Sequence, residues 1–370
     1  MRPPLLPVAF AVFGLQWGAW QAVLPDLAAH YGLSTGPLGA ILTAGFVVAM
    51  PAMIGVGRLV DRVGAGRGMA ITAVGMAVGL VTIGLLPSMA AFVTGVVVVA
   101  AGSGAYDVAI NGAAMGHATW SRPARLTLLH AAFSGGGVVG ALAGGALAAS
   151  TLPFQLAYAV VAGCLVALAI AAARQPRTSP RESGAVPRSI AFVMMPLAAL
   201  AALAFLAEGS IETWSAIYLR VELGAAAFVG ALGPAAFHAA MLGGRLIGAG
   251  VAHRLGASTT LLVASSLTVG GMSVALLLTE PVAAIPGLAC AALGASFVVP
   301  VVVSLAARRA GAHAGRAAGY VLSLGYAGFL VGPSLVGIVG EIAGLRAALV
   351  VVPIAASVVA LASRSPLARD

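Results

Sequence analysis

The sequence predicts an all-α membrane protein: twelve transmembrane helices in two homologous six-helix halves. Three observations predict it. Of the 370 residues, 61% are hydrophobic and only 8% charged, whereas soluble domains average about 25% charged. Apolar runs of about 20 residues recur along the whole chain. Each is long enough at about 1.5 Å per residue to cross a hydrocarbon core of about 30 Å, and the short alternating strands of a barrel are missing. Finally, the chain repeats itself. One offset carries Arg62, Gly64 and Ala65 onto Arg254, Gly256 and Ala257, and also Gly136, Gly140 and Gly145 onto Gly328, Gly332 and Gly337. An offset two residues longer carries Trp20 and Ala22 onto Trp214 and Ala216. Separated markers at nearly one spacing imply two parallel repeats.

The first half is expected over residues 1–173, a linker over 174–189 and the second half over 190–370. Every basic residue is arginine. With the N-terminus in the cytoplasm, Arg220 and Arg346 fall outside and the other arginines inside. This is the positive-inside pattern, which predicts cytoplasmic N- and C-termini. The net charge of +9 thus reports orientation in the membrane, and no nucleic-acid partner is expected. Cys164 and Cys290 lie in apolar runs without metal-ligand spacing, so neither a disulfide nor a metal site is expected. The N-terminal residues lack a signal-peptide cleavage site, so the first span is expected to be retained.

The first span, about residues 5–29, carries Gln16, Trp17, Trp20 and Gln21. Gln16 shares a helix face with Trp20, and Trp17 with Gln21. At mid-helix depth they are candidates to line a cavity, with packing at a helix interface as the alternative. Spans two and three, about 37–56 and 68–87, flank the stretch Gly55–Gly68. There Gly57, Gly64 and Gly66 are expected to allow a sharp turn and close helix approach. Asp61 is placed ahead of the third span, to accept its orphan N–H groups. Span four, about 89–116, places Asp107 and Asn111 on one face. A carboxylate at this depth costs about 2.5–3.5 kcal/mol, so it should face water, a partner or a solute. Span five, about 126–150, opens with His130 and Ser134 on one face, at depths matching Asn111 and Asp107, and a hydrogen-bonded cluster is expected. It continues through Gly136, Gly140, Gly144 and Gly145, a spacing that lets helices pack backbone to backbone.

Span six, about 153–173, has no ionisable group. The basic, Pro- and Ser-containing linker follows. Span seven, about 190–219, places Glu208 and Glu212 one turn apart. Two like charges in a low dielectric cannot both ionise cheaply, so one is expected to hold a proton. Trp214 follows on the same helix. Span eight, about 226–251, has His238 near its middle and Arg245 near its inner end. Span nine, about 258–279, is apolar. Span ten, about 282–307, has a kink expected at Pro300. Span eleven, about 317–341, contains Tyr320, Ser323 and Tyr326. Span twelve, about 345–363, is featureless.

The pattern G-x-x-x-D-R-x-G-x-x-R, formed by Gly57, Asp61, Arg62, Gly64 and Arg67, resembles the loop signature of the major facilitator superfamily. A second copy around Arg254 has His253 in place of the aspartate. The glycine run of span five is similar to a motif of the superfamily's antiporter branch, although Ala141 replaces its usual proline. Asp107–Asn111 and Ala207–Leu219 look similar to bacterial members near the fucose-permease-like branch. The resemblance implies alternating access. Spans 1, 4, 7 and 10 would surround a cavity, 2, 5, 8 and 11 would support them, and 3, 6, 9 and 12 would face lipid. It also implies a bacterial inner-membrane location, and the acids are sorted as that scheme requires.

The function expected from these features is secondary active transport of a small neutral or cationic organic solute. Asp107, Glu208, Glu212 and His130 are the candidate proton carriers. Gln16, Trp17, Trp20, Gln21, Asn111, Trp214, His238 and Tyr326 are the candidate solute ligands. Gly57, Asp61, Arg62, Gly64, Arg67 and Arg254 form the candidate gate. The partners are therefore the solute, protons and the lipid bilayer, and a monomer without cofactor is expected. Export by proton antiport and proton-symport uptake of a sugar-like solute both fit. A non-transporting receptor or scaffold should bring a sizeable soluble domain. An enzyme is not expected, because no nucleophile–base set, HExxH or phosphate loop is present.

Overall fold

The computed structural model describes residues 5–86, 88–117, 119–120, 123–175 and 188–368. Among the described residues, twelve stretches are long and apolar enough to cross a membrane. The chain divides into two compact units, residues 1–182 with 226–235, and residues 183–225 with 236–370. The expected linker lies mostly outside the described residues.

In the first unit the helices are α1 (Leu5–His30), α2 (Thr35–Val63), α3 (Ala65–Leu85), α4 (Met89–Met115), α5 (Pro123–Ala148) and α6 (Gln155–Ala173). The dominant contact joins α1 to α5, and glycine makes it. A Cβ on Gly14 would strike the Phe133 carbonyl, and one on Gly18 the Gly137 carbonyl. From the other side, a Cβ on Gly136 would strike Ala11 and one on Gly140 would strike Leu15. The backbones therefore touch, as small residues permit in a membrane bundle. Around this seam Phe13 packs on Tyr106 and Phe133, and Tyr106 Oη donates to the Ala9 carbonyl at 3.2 Å. The second layer is α4 with α2 and α3, and α3 with α6.

The second unit is built on α7 (Arg188–Ile217), which continues as a π-helical turn over Tyr218–Glu222. It also contains α9 (Ala257–Leu277), α10 (Pro281–Ala310), α11 (Ala314–Gly325), α12 (Ala327–Ala343), α13 (Leu345–Ala348) and α14 (Val351–Ala362). The glycine seam recurs: a Cβ on Gly328 would strike the Ala202 carbonyl of α7. The eleventh span, expected as one helix, is interrupted between α11 and α12 at Tyr326. The twelfth is likewise divided into α13 and α14.

The first turns of α8 (Ala227–Leu255) group with the first unit, where Ala231 and Ala235 cluster with Ala22 and Ala141. Alanines here present no more than a methyl, which fits the same small-residue seam.

The turn stretch departs from expectation at two positions. Asp61 lies within the last turn of α2 and is exposed. The cap of α3 is Gly64, at φ 88°, with no side-chain cap. The left-handed backbone of Gly64 makes the turn, leaving no need for a carboxylate there. Gly256, its repeat, has φ 75° and does the same before α9. Gly66 does provide close approach, since a Cβ there would lie 2.6 Å from the Ala172 carbonyl oxygen. Gly57 does not; a Cβ there would meet open space.

The apolar faces of α3, α6, α9 and α14 stay exposed. Val74 and Val78, Val160 and Ile170, Val263 and Val274, and Ile354 and Leu361 are all at least 44% exposed. α2 and α12 expose comparable side chains, among them Val47, Ile54, Ile338 and Ile342, and apolar surface of this kind suits contact with lipid.

Gly18→Val should force α1 and α5 apart. Overpacking of a close seam costs about 1–3 kcal/mol or more, read as a lower thermal unfolding temperature of the purified protein in detergent. Gly57→Ala should leave that temperature unchanged.

Candidate functional site

In the first unit Asp107 is paired with an amide. On α4, Asn111 Nδ2 donates to Asp107 Oδ1 at 2.9 Å and to the Asp107 carbonyl at 3.0 Å. The one-turn spacing makes this possible, and both residues are partly buried. The amide thus holds the carboxylate in place within its own helix. His130 is partly buried with its ring edge-on to Phe10, 5.3 Å between centroids. The main packing partner of α5 is α1, because the glycines of α5 fit α1.

The candidate solute ligands of α1 are placed unequally. Trp17 is partly buried. Trp20 is 5% exposed and tilted against Tyr158 of α6 at 5.9 Å. Gln21 is also buried. Gln16 is 1% exposed, and both its amide atoms lack a hydrogen-bond partner among the described residues. A buried amide left unpaired costs about 1–3 kcal/mol, so Gln16 is the polar group of this helix most in need of a ligand or water.

The second unit concentrates charge. Glu208 is 8% exposed and has neither hydrogen bond nor ion pair among the described residues. One turn on, Glu212 Oε1 lies 4.0 Å from Nε2 of His238, whose side chain is fully buried. Arg245 comes within electrostatic reach of both Glu208 and His238. The sequence marks it only as a residue near the inner end of its span. Its position seven residues after His238, two turns along the same face, is the signal that could have found it. Two carboxylates against one guanidinium still leave this cluster acidic. Trp214 is fully buried and its Nε1 has no partner among the described residues. Tyr326 stacks on Phe205 at 5.0 Å and 11°. Phe329 covers Gly209 at 2.5 Å from where a Cβ would stand. Neither phenylalanine stands out in the sequence, because phenylalanine in an apolar helix is unremarked until its neighbours are known.

The gate residues Asp61, Arg62, Arg67 and Arg254 are exposed at helix ends. Glu222 and Arg346 approach to 3.9 Å, and Arg346 donates to the Leu276 carbonyl at 2.7 Å. Together they tie the π-helical turn, α9 and α13.

Two repeated bundles of membrane-length helices, with carboxylates at mid-helix in the fourth and seventh spans, define a polytopic membrane transporter. The comparisons make this specific. Residues 5–333 match the family model of the Major Facilitator Superfamily, and the chain belongs to that family. An uncharacterised MFS-type transporter of Yersinia pestis is 30% identical over 97% of this chain and 94% of its own length. Among solved structures, the nucleoside transporter NupG superposes with a TM-score of 0.75 at 14% identity, covering 97% of this chain and 97% of its own. A point variant of the Escherichia coli fucose:proton symporter FucP superposes at 0.66 and 16% identity, covering 98% and 97%. At such identities the structures show the shared fold.

The burial of Trp20 against Tyr158 has a measurable consequence. Trp20→Ala should cost about 3–5 kcal/mol of stability, as loss of a buried tryptophan does. Trp17→Ala should cost clearly less, by thermal unfolding of the two purified variants.

Proposed function

We propose that this chain is a proton-coupled transporter. It moves a small neutral or cationic organic solute across the bacterial cytoplasmic membrane by alternating access, with both termini inside, in the direction of export by proton antiport. The observation that carries the reading is Glu208, buried and without a hydrogen bond or ion pair among the described residues. An uncompensated buried charge is strongly destabilising, by about 3–5 kcal/mol when a partner is removed. Such a carboxyl must therefore hold a proton or meet a cation, the two states that an antiport cycle alternates. Asp107, steadied by Asn111, supplies the second proton-handling carboxylate. The acidic surplus supports a neutral or cationic solute over an organic anion. The glycine seam of α5 supports export.

Proton-symport uptake of a sugar-like solute is the second reading. The Asp107–Asn111 pair favours it, since a carboxylate beside an amide presents the donors and acceptors that bind hydroxyl groups. The likeness to the fucose:proton symporter adds support at the level of fold.

A thermal-shift panel of organic amines, quaternary ammonium compounds, hexoses and nucleosides would select the solute. Transport would then be measured in vesicles under an imposed pH gradient. Antiport predicts accumulation on the side opposite to that expected for symport. Asp107→Asn and Glu208→Gln should each abolish gradient-driven accumulation while leaving solute exchange, and unchanged uphill transport would reject their proton role. Asp61→Asn should slow turnover, and wild-type turnover would show the signature stretch to be only a turn.

A further inference from the structure

We infer that His238 is the proton partner of Glu212 and not a solute ligand, the two side chains handling one exchangeable proton between them. The inference rests on the proton-coupled reading above and adds to Glu208 a further proton site in the second half. Its basis is geometric. His238 is wholly enclosed, with the ring of Phe237 edge-on at 5.1 Å, so a solute has no surface of the imidazole to touch. Glu212 keeps 15% of its side chain exposed and is the member through which a proton enters or leaves. The ring atom turned toward it is Nε2. An ionised carboxylate can only accept, so the nitrogen facing it is the one that donates. The 4.0 Å separation exceeds a hydrogen bond. Transfer therefore needs a bridging water or an approach of about 1 Å.

The surrounding charges explain why one proton serves the pair. On α7 the neighbours are Glu208 and Glu212, and on α8 Arg245. Of the elements packed against α7, α10 and α11 bring Arg308, Arg309 and Arg316 only at their inner ends, α11 also carries Tyr320, and α14 carries no charged group. α12 brings Glu341 at its outer end, the π-helical turn brings Arg220 and Glu222, and Tyr326 stands between α11 and α12. α10 also approaches α8, through Ser296 at Gly244 and Phe297 at Gly248, where it is uncharged. A charged imidazole beside Arg245 is tolerable only against an ionised Glu212. Protonation of Glu212 would leave that imidazole unpaired in an apolar interior. The two groups therefore titrate as a unit.

The test uses the purified full-length protein with ring-15N-labelled histidine and an NMR pH titration. Of the six histidines, His238 is assigned by its loss in His238→Gln. In the wild type its Nε2 should carry the proton in the neutral form. Glu212→Gln should move the His238 titration midpoint by about one pH unit or more, while the other histidines stay in place. Glu212→Asp, which keeps a carboxylate, should restore near-wild-type behaviour and guards against misfolding of the first variant. A His238 profile indifferent to Glu212→Gln, or a neutral form protonated on Nδ1, would overturn the inference. The spectra need neither solute nor gradient. They can fail while vesicle transport remains proton-driven, and they can succeed while it does not.

Discussion

Everything in this bundle hangs on a contact between backbones. The glycines of α1 and α5 let two helices touch along their length, and Gly328 on α12 repeats the arrangement against α7. Lipid offers no hydrophobic drive to bring helices together. Close van der Waals approach must supply it, and only small residues allow that approach. The seam fixes the first helix of each repeat. Those are the helices that bear Gln16, Trp17, Glu208 and Glu212.

Within that frame the few charges are rationed. Asp107 is held by Asn111 in one unit. In the other, Glu212 faces His238 and Arg245 stands in range of Glu208 and His238. The exposed faces of α2, α3, α6, α9, α12 and α14 carry valine and isoleucine instead. An ionisable group is tolerated in such a bundle only where another polar group, a proton or a solute can answer it. Asp107 and Glu212 meet that condition through Asn111 and His238.

Helix boundaries are legible in the sequence where composition alone decides them. An apolar run of membrane length has few other fates, since every backbone group must be satisfied within the segment. Interruptions are not legible. The break at Tyr326 and the division of the last span leave no mark in hydropathy. Asp61 misleads because a carboxylate before a helix reads as a cap, while the positive φ of Gly64 already makes the turn. Trp20 reads like Trp17 because spacing along one helix cannot say which neighbour covers which face. Tyr158 covers Trp20.

By itself the sequence determined the membrane class, the twelve spans, the repeat and which spans carry acids at mid-helix. Each of these follows from how many apolar residues stand in a row and where a charge interrupts them. Only the tertiary structure decided who meets whom: α5 with α1, His238 with Glu212, Arg245 within reach of Glu208, and the opening turns of α8 with the first unit. Those pairings arise from the fit of one helix surface to another, and that fit is set jointly by residues far apart in the chain.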